Sequence, residues 1–211
     1  MDYIAKEVPE LQVNPLIFRN SGGDLETLED VIKGYHLPPD DFEIGSGLIL
    51  DLGSHIGLTL ADFANRYRGN SIIGVELDKD NYKLARMNNI FNSCVSIECA
   101  AITTGNGNRS YIKNEHGNNA HKLGNGDNIV NGVTIDFISH DYDVIEYIKM
   151  DIEGEEMDVI YRGGDWPEKT RCIGVEIHEP NTKEDIGREL KRLGFSVQEN
   201  PLHENSLYGI R

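Results

Sequence analysis

The sequence predicts an α/β protein built on a mostly parallel sheet with helices on both faces. Three observations carry this. Short apolar runs recur at Leu48–Leu50, Ser71–Glu76, Val95–Ala101, Val144–Met150 and Cys172–His178. The first is bounded by glycines on both sides, which fits a strand buried on both faces. Segments with helical spacing separate the runs, and that alternation implies parallel pairing through helical crossovers. In such sheets ligands bind beyond the carboxyl ends of the strands, where the strand order reverses. Asp51, Glu76, Cys99–Ala101, Asp151 and Glu176–His178 are the residues expected at those ends.

Residues 1–46 end in the Pro/Asp/Gly-rich stretch YHLPPDDFEIGSG and include a short helix over Thr27–Gly34. They are expected to form a cap or lid ahead of a domain spanning 47–211. After the first strand, Gly57 opens a helix over LTLADFANR. The second strand, SIIGVE, precedes Asp78 and Asp80, which stand where a helix N-terminus needs acceptors. On that helix Tyr82, Ala85 and Asn89 share a face. Residues 105–132 hold six glycines and eight asparagines, which is loop chemistry. Ser110–Lys113 and Ala120–Leu123 are expected to pair there as a hairpin. An edge-like strand over Val133–Ile135 and a helical turn over Phe137–His140 follow. The fourth buried strand runs into Asp151, and a helix spans Gly154–Arg162 with Met157, Ile160 and Tyr161 on one face. Asn181 or Thr182 caps a helix that reaches Arg192 and stops at Gly194. Phe195–Gln198 and Leu207–Ile210 are the last strands.

A length of 211 residues suits one domain with a substantial core. Twenty basic against 36 acidic residues give a net charge of −16. That balance argues against nucleic acid, whose phosphates need a basic footprint, and against an anionic membrane surface. The N-terminus MDYIAKEVPE lacks the basic and apolar regions of a signal peptide, and no apolar run is long enough to span a membrane. Cys94, Cys99 and Cys172 form no CxxC pair and give neither a disulfide framework nor a zinc site. Reduced thiols in a cytoplasmic protein are the expectation.

Two constellations carry chemistry. In Asp51-Leu52-Gly53-Ser54-His55-Ile56-Gly57, Gly53 permits a tight turn and close ligand approach, and Gly57 permits close helix–strand packing. The following helix N-terminus offers free N–H groups. Glu76 lies 19 residues past Gly57 at a strand end, where an acid accepts ribose hydroxyls. A dinucleotide fold would show GxGxxG against a pyrophosphate. Here Asp51 would repel a pyrophosphate and favour a cationic group, such as the amino end of a methionine moiety. The pattern therefore points to S-adenosylmethionine rather than NAD.

The second constellation is Lys149-Met150-Asp151-Ile152-Glu153-Gly154-Glu155 with Glu176-Ile177-His178-Glu179 on the neighbouring strand. Adjacent carboxylates raise a histidine's pKa and strengthen it as a base. Asp151 and Glu153 alternatively cap a helix, and His178 alternatively serves as a hydrogen-bonded structural residue. Glu155 and Glu156 read as complements to the dipole of a first helical turn.

In these and neighbouring segments the chain resembles the FkbM-type family of S-adenosylmethionine-dependent methyltransferases. The resemblance rests on LDLGSHIG (Leu50–Gly57), GVELD (Gly74–Asp78), IKMDIEGEE (Ile148–Glu156) and GVEIHE (Gly174–Glu179), with Arg19 and Asp24 as an R…D element before them. It implies a class I methyltransferase fold, a Rossmann-like three-layer sandwich with a mostly parallel seven-stranded sheet whose last strand is antiparallel. It also implies O-methylation of a hydroxyl on a sugar, glycolipid or natural-product acceptor. By the same resemblance Asp51, Gly53, Ser54 and Gly57 hold the methionine end. Glu76 takes the ribose with Leu77 beside the adenine, Cys99, Ala100 and Ala101 contact the adenine, and Asp151 faces the amino group or the reacting centre. The family often has asparagine where this chain has His55, which would contact the cofactor carboxylate or pack.

Methyl transfer needs an oxygen aligned with an activated carbon and a base for its proton. His178 is the first candidate, Asp151 the second and Glu153 the third. The spacing is not diagnostic of a metal site and none is expected, the alternative being a divalent ion held by Asp151, Glu153 and Glu176. A small-molecule or glycan acceptor is expected to meet residues 105–132 and the N-terminal segment. The rival readings are an NAD-dependent oxidoreductase on a similar sheet and a non-catalytic cofactor-binding module. A nucleic-acid amino methyltransferase would show [DN]PP[YF] where this chain has Asp151-Ile152-Glu153-Gly154.

Overall fold

In the computed structural model, which describes residues 2–20, 23–114, 117 and 120–211, the chain opens with an antiparallel ribbon. It consists of β1 (Tyr3–Lys6) and β2 (Leu16–Arg19), followed by α1 (Asp24–Lys33). The core then alternates β3 (Leu48–Leu52), α2 (Leu58–Arg66), β4 (Ser71–Glu76), α3 (Lys79–Asn88) and β5 (Val95–Ile102). Asp78 caps α3, its side chain accepting from the N–H groups of Asp80 and Asn81. Next come β6 (Gly107–Ile112), β7 (Lys122–Leu123), β8 (Asn128–Val133) and α4 (Ile135–Ile138). The chain closes with β9 (Ile145–Met150), α5 (Glu156–Arg162), α6 (Trp166–Lys169), β10 (Thr170–Glu176), α7 (Lys183–Arg192), β11 (Ser196–Glu199) and β12 (Ser206–Ile210). Thr182 is the residue that caps α7, accepting from Asp185 N–H.

Among the described residues the main sheet has ten strands in the order β11-β12-β10-β9-β3-β4-β5-β8-β6-β7. The first seven form the expected sheet, with β12 antiparallel to β10 and β9, β3, β4 and β5 pairing in parallel. The strand order reverses around β3, so the carboxyl ends of β3, β4, β9 and β10 meet at one rim.

The other three strands correct the expectation of seven. They come from the Gly/Asn-rich segment 105–132, of whose described residues about half are in strands rather than loop. β8 runs parallel to β5 and β6 antiparallel to β8, covering what would otherwise be an open edge. The predicted hairpin is present as Tyr111 opposite Leu123 and Ile112 opposite Lys122. The glycines serve close approach: a Cβ on Gly126 would sit 2.0 Å from the Tyr111 carbonyl oxygen, and one on Gly132 2.7 Å from Thr103 Oγ1. The short strand expected over 133–135 ends instead at Val133, because Thr134 already caps α4 by accepting from Phe137 N–H.

The N-terminal ribbon and α1 lie against the helices. Val8, Leu11, Leu16, Phe18 and Val31 pack on Ile56, Leu58, Ala61 and Leu84. Asn88 on α3 clamps the two parts together: its Oδ1 accepts from Ile17 N–H at 2.7 Å, and its Nδ2 donates to the carbonyls of Ile17 and Ile56. Among the described residues no helix is long and apolar enough to cross a membrane.

Candidate active site

The loop after β3 is bent by residues in the left-handed region. Gly53 has φ 85°, and a Cβ there would fall 1.8 Å from the Asp151 carbonyl oxygen. Only glycine lets the loop pass this close to the end of β9. Gly57 (φ 79°) is equally constrained, by Ala85 of α3 and by Asn89 at its C-terminal cap, so its role is helix packing. Between them His55 has φ 48°, a conformation that costs a non-glycine residue energy. Its ring is held from the N-terminal ribbon: Nε2 lies 3.3 Å from Arg19 Nη2 and 3.5 Å from Asp24 Oδ1. Arg19 and Asp24 form a buried bidentate pair. Burial pushes His55 down to about 4, so the ring is neutral at ordinary pH.

Glu76 closes the opposite side. Its Oε2 accepts from the His55 N–H at 2.9 Å, and its Oε1 from Asp78 N–H at 2.8 Å and Asn81 Nδ2 at 3.3 Å. Burial raises its carboxyl to about 7 in spite of these donors. The ring of residues near it is apolar: Leu77, Ala100, Ala101 and Ile102.

Beneath the loop lies a buried charge network. Asp51 is fully buried and accepts from the Thr59 hydroxyl. Lys149 Nζ stands 3.4 Å from Asp51 Oδ1 and 3.1 Å from Asp151 Oδ2, and donates to the Gly53 carbonyl at 2.9 Å. Burial works to lower the Lys149 pKa, and the two aspartates more than offset it, so the ammonium stays charged. Lys149 thus ties the ends of β3 and β9 to the loop.

At the far end Asp151, Glu153 and His178 bring one ligand atom each within 4.8 Å of one another. His178 Nε2 is 3.7 Å from Asp151 Oδ1, 3.6 Å from Glu153 Oε2 and 3.6 Å from Glu176 Oε1. Its Nδ1 is 2.9 Å from Glu156 Oε1. Burial disfavours the imidazolium, but the Glu156 hydrogen bond and the surrounding carboxylates outweigh it and raise His178 to about 9. Burial pushes Glu176 up to about 8.

A cavity of about 200 Å³ joins these parts. Of the predicted residues, Gly53, Ser54, His55, Glu76, Leu77, Ala100, Ala101, Asp151 and Glu153 line it. Asp51, Gly57, Cys99 and His178 stand off its wall, the first beneath the loop and the last behind Asp151 and Glu153. Sequence reasoning passed over Lys149 and Glu156. Lys149 has a signal, being a lysine inside an otherwise buried apolar strand, where it must find partners. Glu156 reads as a dipole complement, yet it is fully buried and accepts from Ile152 N–H, Gly154 N–H and Asn181 Nδ2 as well as facing His178. From the segments expected to meet the acceptor, α1 supplies Thr27, Asp30 and Val31, and the insert supplies Ala120, His121 and Leu123.

No curated protein matches the chain. Among solved structures, a fibrillarin pre-rRNA processing protein of Methanococcus jannaschii is 12% identical with a TM-score of 0.53, over 99% of this chain and 82% of that one. Aeropyrum pernix fibrillarin, in complex with natively bound S-adenosyl-L-methionine, is 12% identical with a TM-score of 0.51, over 88% and 74%. A methyltransferase from Pyrococcus furiosus is 14% identical with a TM-score of 0.50, over 92% and 87%. At these identities the likeness shows the fold alone, which is that of class I methyltransferases. The family model for the methyltransferase FkbM domain matches residues 51–197. On that match, which spans well over half its length, the chain belongs to the FkbM-type family of S-adenosylmethionine-dependent methyltransferases.

Proposed function

We propose that the protein transfers a methyl group from S-adenosylmethionine to a hydroxyl of a small-molecule or glycan acceptor, such as a sugar, glycolipid or natural product. The observation that carries this reading is that one cavity has Glu76 at one end and Asp151 with Glu153 at the other. The residues fit the cofactor by the chemistry of the donor set. Its sulfonium and ammonium groups are cationic, and the acids on the cavity wall outnumber the basic groups. Glu76 spends three acceptor positions on protein donors and keeps capacity for the ribose hydroxyls. Leu77, Ala100 and Ala101 offer an apolar slot for the adenine, with Cys99 behind it. Gly53, Ser54 and His55 form the loop over the methionine end, while Asp51 and Gly57 act on that loop from beneath, through Lys149 and through α3.

When bound, S-adenosylmethionine supplies an activated methyl: the acceptor oxygen forms the new C–O bond as the C–S bond breaks and its electron pair returns to sulfur. The chain's part is alignment and proton removal. Asp151 and Glu153 face the cavity, His178 stands behind them, and this cluster takes the hydroxyl proton. Residues of α1 and of the insert flank the acceptor end. The charge of −16 speaks against a nucleic-acid acceptor, and the free cysteines accord with a cytoplasmic setting.

The deciding experiment is transfer of an isotope-labelled methyl group across a panel of hydroxylated sugars and glycolipids, with amines as controls. A labelled O-methyl product supports the reading. Methylated amines without any O-methyl product would replace it, and cofactor binding without turnover on any acceptor would favour a non-catalytic module.

A further inference from the structure

The geometry points to a divalent-cation site at the acceptor end of the cavity, formed by His178, Asp151 and Glu153 with Glu176 as a further carboxylate ligand. It rests on the methyl-transfer reading only for what the ion does, not for its binding. The first support is the state of His178. Glu156 already accepts from two backbone N–H groups and from Asn181 Nδ2, so it is an acceptor toward the imidazole as well. Nδ1 therefore carries the proton and donates to Glu156 at 2.9 Å. In the neutral ring this leaves the Nε2 lone pair facing three carboxylate oxygens. A divalent cation bound there would take the place of the Nε2 proton, and the four electron-pair donors would then converge on the ion.

The distances leave room for a metal where the free protein holds a proton. An imidazolium N–H paired with a carboxylate closes to about 2.7–2.9 Å. Here all three separations from Nε2 are 3.6–3.7 Å, nearly equal and too long for such a bond. Ligand atoms each about 2.1 Å from a shared ion lie roughly 3.0–3.4 Å apart. The separations from His178 need a contraction of only a few tenths of an ångström to reach that, and the ligand atoms of Asp151, Glu153 and His178 all lie within 4.8 Å of one another. The Glu156–His178 bond is also the outer-sphere arrangement that fixes the tautomer of a metal-ligating histidine. The donor set, one imidazole with carboxylates, suits a transition ion such as Mn²⁺ or Fe²⁺ better than Ca²⁺. Because Asp151 and Glu153 line the cavity, open positions on the ion would face the acceptor, where it lowers the pKa of a hydroxyl and positions the oxygen.

The test is titration of chelator-stripped protein with Mn²⁺ alone, without cofactor or acceptor, followed by calorimetry and electron paramagnetic resonance. We expect one saturable site and nitrogen modulation from a single imidazole on the bound ion. The second signature is read on the unmodified protein, so it does not depend on whether a variant folds. H178A and E153Q should weaken binding at least tenfold, and E156Q by about 10–100-fold. Absence of saturable binding, a bound ion without imidazole nitrogen, or unchanged affinity in folded H178A would each overturn the site. Mn²⁺ bound with the nitrogen signature but no methyl transfer to any hydroxyl would keep the site and remove the O-methyl reading. Full methyl transfer by stripped protein that binds no Mn²⁺ would do the reverse.

Discussion

Burial raises the Glu76 carboxyl to about 7, well above its ordinary range near 4.5. A buried acid raised in this way holds its proton in the folded state over a window where the unfolded chain has lost it. Its contribution to stability is therefore greatest below about 4.5 and declines as pH rises through 7. On the proposed ribose assignment the hydroxyls would donate to the ionised form, so cofactor binding would run the other way. Affinity for S-adenosylmethionine should rise between pH 6 and 8, measured by calorimetry, and the rise attributable to this group should vanish in E76Q. E76A should weaken binding outright; a profile of the same shape in E76Q would remove the ribose assignment. The position of Glu76 on the cavity wall is legible because one acid at a fixed distance from the glycine turn is a local pattern. Lys149 is less so, since its meaning depends on Asp51, a partner on another strand. Replacing Lys149 with methionine leaves Asp51 buried without its counter-ion, and such losses cost about 3–5 kcal/mol. Chemical denaturation should register a loss of that order, partly recovered in the K149M/D51N double variant. An additive double variant would show that the two do not act as a pair.

At the scale of elements, the parallel core is legible and the insert is not. Leu48–Leu52 and Ile145–Met150 are buried throughout, and their apolar residues identify them although Asp51, Glu146 and Lys149 interrupt the runs. In β6 and β8 glycine and asparagine occupy strand positions, and the usual rule reads them as turns. In β8 Gly132 lies close against Thr103 and the Gly107 carbonyl, and Gly126, in the turn ahead of that strand, lies close against the Tyr111 carbonyl. The insert is also fastened to α3, since Tyr111 donates to Asp78 Oδ2 at 3.1 Å and Lys113 pairs with Asp78 at 2.6 Å. Replacing Gly132 with valine should drive β8 from Thr103 and the Gly107 carbonyl. In hydrogen exchange the amides of β6 and β8 should then exchange at least tenfold faster, while those of β3, β4 and β9 keep their protection. Faster exchange throughout the sheet would mean that the insert is integral to the core instead of fastened to its edge.

For the whole molecule, the charge of −16 acquires a direction once the fold is known. Asp30, Asp151, Glu153 and Glu155 all line the same cavity, with Lys149 as the only lysine or arginine among its lining residues. A cleft with walls of one sign focuses its field on what approaches, and salt screens that field over about 8–10 Å. The cofactor carries net positive charge and is drawn in. An acceptor bearing phosphate or carboxylate meets the same field as repulsion, and a divalent ion at His178 would offset only part of it. For a sugar and its phosphate ester sharing one reactive hydroxyl, kcat/KM should therefore favour the neutral compound. The preference should be several-fold at about 50 mM salt and shrink toward unity near 0.5 M, where the Debye length falls to a few ångströms. Cofactor affinity should weaken over the same range. A phosphorylated acceptor that outperforms its neutral parent at low salt would show that a basic group outside the lining residues, such as Lys122 at 3.8 Å from Glu153 Oε2, governs acceptor choice.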